Sequence, residues 1–203
     1  MSQSVSSSHH GGMTVNPFDD LMLMLDTPVF VLTAQVDGKP AGCPVAFATQ
    51  TSVQPPSFMV GFPLDHPMNE VGVTAEYMAV QVLPQRCKVL AELFIRHNAD
   101  GSAAFAHCAW RGGPGELPIL DDAAGWFVGR IASRSAVGDH AAYLLEPVAA
   151  WASEAVEDLL YLSDLDEDIG NGRNQEEQQQ RLYQAGRPAA TDRTAMRFTL
   201  DVP

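Results

Sequence analysis
Basic residues are scarce in this chain of 203: 12 Lys and Arg stand against 25 Asp and Glu, a formal charge of -13. That excludes a nucleic-acid-binding face, because a phosphate backbone is held by a basic surface. It also excludes attraction to an anionic membrane. Cysteine is scarce too. Cys43, Cys87 and Cys108 are odd in number, and no two have the short spacing of a zinc site. A reducing, cytoplasmic setting fits this usage. No apolar run approaches the roughly 18 residues of a membrane span. Residues 1–15 are rich in Ser and His but lack the basic start and apolar stretch of a secretory signal, so they read as a disordered leader. A Rossmann-type glycine fingerprint is missing, and no nucleophile–base triad is visible.

What is present is 46% apolar residues, enough for a sizeable core. A first helix is expected where Asn16 can cap, Pro17 suits the first position and Phe18, Leu21, Met22 and Leu25 share one face. Strands follow. Val29 to Val36 is β-branched and ends at Asp37-Gly38. A second run goes from Ala41 to about Val53, breaks at Gln54-Pro55-Pro56 as at a corner, and resumes from Ser57 to Phe62. Pro63 to Met68 reads as a polar loop, and Tyr77 to Leu83 as a strand buried on both faces. Arg86 to Arg96 is a second helix with Val89, Leu90, Leu93 and Phe94 as its stripe, followed by a turn over His97 to Gly101. Arg111 to Gly115 reads as irregular. Trp126 to Arg134 and His140 to Val148 are two further strands joined through Ser135 to Asp139, where Gly138 can take a positive φ.

Six or seven strands that do not alternate with helices define a mainly β class, a barrel or sandwich that is mostly antiparallel. The expected barrel domain covers residues 16–152. Residues 153–203 read as an acidic, then Gln-rich extension, whose Phe198 and Leu200 could pin its end to a second subunit.

Three segments, in this order, resemble the flavin-reductase-like family of FMN-binding split β-barrels. The first is Thr27-Pro28-Val29-Phe30-Val31-Leu32-Thr33-Ala34 with Asp37-Gly38-Lys39-Pro40-Ala41-Gly42. The second is Phe47 through Thr49 with Ser52, closed by Pro55-Pro56; the third is Gly138-Asp139-His140, leading to Glu146-Pro147-Val148. Ala91-Glu92-Leu93-Phe94 after Val82-Leu83 fits the same plan, and Trp126-Phe127-Val128-Gly129-Arg130 is similar to an actinobacterial branch. The resemblance covers residues 20 to 150. It implies a split β-barrel that forms a homodimer with flavin near the subunit interface. It also implies hydride transfer from NADH or NADPH to FMN (or FAD), and supply of reduced flavin to a separate monooxygenase.

Such chemistry asks for binding and orientation, since the cofactors carry the reaction. By resemblance, the flavin contacts come from the strand and corner before the Pro-Pro pair. Backbone N–H groups of Phe47 to Thr49 would line the ring, and Thr49 and Ser52 would add hydroxyls unless they are simply polar-face residues. Ala46 and Ala48 stand where hydroxyl or aromatic residues are frequent. In the loop that meets the phosphate in the family, this chain has Leu64, Asp65, His66 and Asn69. His66 and Asn69 can donate there, whereas Asp65 would repel a dianion. Arg86 would be either a replacement cation or a solvated helix end. His140 matches the histidine that faces flavin and nicotinamide, the alternative being a hairpin cap. Metal chemistry has no candidate: His107 and Cys108 lack a third ligand at metal spacing.

Two functional classes follow. One is an NAD(P)H-dependent flavin reductase. The other is a non-catalytic barrel that binds another ligand such as haem or a deazaflavin, or serves as a dimerisation module, suggested by Asp65.

Overall fold
The computed structural model describes residues 17–97, 102–155 and 157–166. The leader, the expected cap at Asn16, most of the turn after His97 and the tail with Phe198 and Leu200 lie outside the described residues.

Helix α1 covers Pro17–Leu23. Strands β1 (Phe30–Val36) and β2 (Lys39–Val45) form a tight hairpin. Its two turn residues, Asp37 and Gly38, have φ of 52° and 75°. Both central residues of a type I′ turn need positive φ, which Asp-Gly tolerates. The single strand expected from Ala41 to Val53 is two strands. The chain turns at Ala46, and β3 runs from Phe47–Val53. Pro44 falls on β2, which among the described residues pairs with β1 alone, and an edge strand tolerates a proline. β4 (Pro56–Pro63) then returns directly on β3, with Val53 opposite Pro56. The paired prolines therefore mark a hairpin turn, not a corner in one running strand.

After β4 comes α2 (Met68–Thr74), a helix absent from the sequence reading. β5 (Tyr77–Val82) is buried on both faces as expected. The second expected helix opens with a 3-10 turn over Gln85–Cys87 and becomes α3 at Lys88–Arg96. Around the glycine-rich stretch, β6 (Trp110–Gly112) and β7 (Pro118–Leu120) form a small hairpin, so Arg111 and Gly112 are strand residues. β8 (Gly125–Val137) and β9 (His140–Ala152) are long strands, joined by Gly138-Asp139 alone and not by five residues.

Seven strands form one antiparallel sheet in the order β2-β1-β5-β8-β9-β4-β3. Its edge strands, β2 and β3, are consecutive in the chain and separated only by Ala46. Successive Cα atoms are about 3.8 Å apart. The sheet must therefore curl until its edges meet at that corner, which gives a split barrel. Inside lie Leu32, Val45, Val60, Phe62, Met78, Val80 and Leu145. On the outside, α3 packs its Ala91 and Phe94 over Val29, Val31 and Leu83. A Cβ at Gly42 would stand 3.0 Å from the Phe94 ring, so the glycine allows helix and strand to approach.

Part of the stretch expected to be an extension belongs to this core. Leu160 is fully buried and Leu165 nearly so. Tyr161 bridges to Pro28 and Leu159 to Pro84. Lys88 binds Asp166, and Arg86 binds Glu157.

Candidate functional site
β9 begins at His140 because Gly138, at φ 62°, lets β8 reverse in two residues. His140 is then opposite Val137 on one side and Pro63 of β4 on the other. The Leu64 N–H donates to the Asp139 carbonyl (3.0 Å), which ties the β8–β9 turn to the loop after β4. The Phe47 ring, at the start of β3, packs on the imidazole with centroids 4.7 Å apart. Nδ1 of His140 lies 2.6 Å from Oδ1 of Asp139. That bond is the main cause holding the Asp139 carboxyl below its ordinary range. The imidazole is mostly covered, at 12% exposure, whereas Asp139 is open to solvent.

The loop after β4 is held from inside. The Asn69 amide donates to the carbonyls of Pro63 (2.7 Å) and Leu64 (2.9 Å), and its oxygen accepts from the Tyr143 hydroxyl (3.1 Å). His66 accepts the Met68 N–H at Nδ1 and lies against the Phe62 ring. Tyr143, buried on β9, is stacked on Phe62 and overlaid by Gly72 of α2. Leu64, His66, Asn69, Phe47 and His140 thus form one contiguous group. In it Asn69 and His66 spend hydrogen bonds on the loop's own backbone. The sequence reading missed Tyr143 and α2, and it assigned Asp139 only to the turn. The signal available for Asp139 was its adjacency to His140.

β3 supplies the other half. Ala46 is buried in the core, and Ala48 packs partly against the barrel interior. Side chains alternate across a strand, so Phe47 and Thr49 face away from that interior. Ser52 follows a register shift after Gln50, and its carbonyl accepts the Gln50 amide at 3.1 Å. Among the described residues β3 pairs with β4 alone. Alternate N–H and C=O groups along its outer side therefore lie outside the ladder. An open strand edge with Thr49 and Ser52 fits the carbonyl and N–H rim of a flavin ring. No lysine or arginine occurs in residues 45–69; from β8, the Arg134 guanidinium lies 5.9 Å from the centre of the Tyr143 ring and donates to the Ala75 carbonyl. Arg86 is not brought to this group. It follows β5, at the other end of the β8–β9 ribbon from His140, and it pairs with Asp122 (3.1 Å) and Glu157 (3.0 Å). Both carboxylates raise its pKa.

A curled seven-stranded antiparallel sheet among the described residues defines a fold class, and comparison with known proteins agrees. The flavin reductase like domain model matches residues 22–167, and the chain belongs to that family. A protein of Rhizobium meliloti (strain 1021) named probable flavin reductase is 31% identical over 134 residues, 63% of this chain and 42% of that one. The NADH:riboflavin 5'-phosphate oxidoreductase of Streptomyces pristinaespiralis is 30% identical over 132 residues, 64% of this chain and 74% of its own. The chain thus spans less than half the length of the first of these relatives. Among solved structures, the NADH:FAD oxidoreductase of Streptomyces globisporus C-1027 aligns with a TM-score of 0.64 over 76% of this chain and 94% of that one, at 24% identity. That level of identity speaks for the fold.

Proposed function
We propose that this chain reduces flavin with NADH or NADPH, holding flavin along the open edge of β3 and nicotinamide against His140. The observation that carries this is the meeting of Phe47 and His140 at the corner where β3 and β9 both begin, beside the strand edge that suits a flavin rim. Bound flavin would supply the hydride acceptor. The chain's own part is to hold and orient. β3 presents backbone groups and the Thr49 hydroxyl, and Ser52 lies further along. The Asn69-bonded loop fixes Leu64 and His66 beside the site. His140 orients the nicotinamide carboxamide, with Phe47 keeping the imidazole in place.

FMN is the proposed flavin: residues 45–69 carry no lysine or arginine, so its single phosphate would be met there by hydroxyls and N–H groups. A homodimer, a cytoplasmic setting and delivery of reduced flavin to a separate monooxygenase belong to the same proposal, as does an extension beyond the barrel. Family membership and the relatives' names support the flavin reduction itself.

The test is NADH and NADPH consumption by the full chain with FMN, FAD or riboflavin. Turnover on the order of 1–10³ per second with at least one flavin is expected. No consumption with any of the three would exclude the reading and leave a non-catalytic barrel.

A further inference from the structure
Asp139 occupies the second position of a two-residue turn, a place where an aspartate needs no further explanation. Its side chain nevertheless reaches its neighbour: Oδ1 lies 2.6 Å from Nδ1 of His140. A carboxylate only accepts hydrogen bonds. Nδ1 must therefore carry the proton, and a neutral imidazole with Nδ1–H leaves Nε2 as its acceptor. The ring is also constrained by the Phe47 face and by the β4 end, where Pro63 lies opposite His140.

We propose that Asp139 is a positioning residue that fixes His140 as the Nδ1–H tautomer, so that Nε2 accepts a hydrogen bond from the carboxamide N–H of nicotinamide. This rests on the reductase reading for its substrate, but the tautomer does not depend on it. The site thereby recognises a primary amide by its donor, and a nicotinic acid analogue, whose carboxylate has no donor, is discriminated against.

Asp139→Asn is the informative variant. Asparagine serves a turn as well as aspartate does, but its amide can donate to Nδ1 and admit the Nε2–H tautomer. Long-range ¹⁵N NMR of the imidazoles at pH 8.5 reads this directly, with His140→Gln assigning the signal. Wild type should show Nδ1–H at His140, and Asp139→Asn should show a substantial Nε2–H population. In the same variant the KM for NAD(P)H should rise about three- to tenfold while kcat and FMN affinity stay within about twofold. An Nε2–H tautomer in wild type overturns the proposal. So does an Asp139→Asn protein with an unchanged tautomer or unchanged KM, since a role confined to the turn predicts both. If the wild type consumes no NAD(P)H, the reductase reading falls, and the NMR result still decides whether Asp139 sets the tautomer.

Discussion
The Phe47 ring lies 4.7 Å from the His140 imidazole, with the planes inclined by 44°. It joins the first residue of the edge strand β3 to the first residue of β9. An aromatic pair of this kind contributes about 0.5–1.5 kcal/mol beyond its buried area, and Phe47 is itself 37% exposed. Phe47→Ala should therefore cost about 1–3 kcal/mol of folding stability and loosen the imidazole. We expect the KM for NAD(P)H to rise about threefold or more, checked by steady-state kinetics beside a thermal melt. His140→Ala should slow NAD(P)H oxidation and spare flavin binding. Equal loss of both would remove His140 from the hydride-transfer site.

Gly72 gives a prediction in which two effects compete. Alanine in place of glycine inside a helix gains up to about 1 kcal/mol. A Cβ at Gly72 would stand 2.7 Å from the Tyr143 ring, however, and that ring is buried and stacked 4.9 Å from Phe62. Overpacking of this sort costs about 1–3 kcal/mol, so Gly72→Ala should destabilise. The displaced hydroxyl would also release Asn69. Hydrogen exchange at the Leu64 and His66 amides should then quicken, and a stabilised variant would contradict this packing.

A buried polar knot fastens β7 to the middle of the sheet. The Thr33 hydroxyl donates to the Pro118 carbonyl at 2.6 Å. The Gln81 amide donates to the Thr33 oxygen and to the same carbonyl, while its oxygen accepts the Leu120 N–H at 2.7 Å. Thr33 and Gln81 are both fully buried. Gln81→Met keeps the volume but leaves the Leu120 N–H without a partner, at about 1–3 kcal/mol. Gln81→Ala adds a cavity and should cost more, about 2–5 kcal/mol in all. Urea midpoints would show the order wild type, methionine, alanine.

Burial raises the Cys43 thiol from 9.0 to about 12, and it raises Cys87 and Cys108 as well. The folded chain keeps these protons where the unfolded chain releases them. Stability is thus full below about pH 9 and falls as pH rises towards 12, by up to about 1.4 kcal/mol per unit for Cys43. Cys43→Ala should flatten that slope in part. Native protein at pH 8 should react slowly with thiol reagents at Cys43 and quickly once denatured.

Periodicity and turn chemistry made much of this architecture readable. β5 announced itself by an apolar run, since it lies between β1 and β8, and Asp37-Gly38 marked the β1–β2 hairpin because both residues tolerate positive φ. Other features depended on long-range contacts. Met68–Thr74 contains Val, Gly, Val and Thr, which are weak helix formers, and it is helical because Met68 and Gly72 are covered by the barrel and by Tyr143. Leu160 and Leu165 lie in a stretch that is acidic and apolar by turns and has no clear period, so their place in the core shows only where Tyr161 and Leu159 bridge to Pro28 and Pro84. At the candidate site, His140 and the β3 stretch were named through resemblance, and the structure places Phe47 of β3 against His140. The distance between Arg86 and the other residues was not, because it follows from which end of β5 each element leaves.

The most direct measurement is an anaerobic absorbance titration of the purified chain, first with FMN and then with NADH. FMN should bind at micromolar concentration with a perturbed visible spectrum, and NADH should bleach it in a one-to-one ratio. Failure to bind FMN, or a bound flavin that stays yellow with excess NADH and NADPH, would contradict the reductase reading.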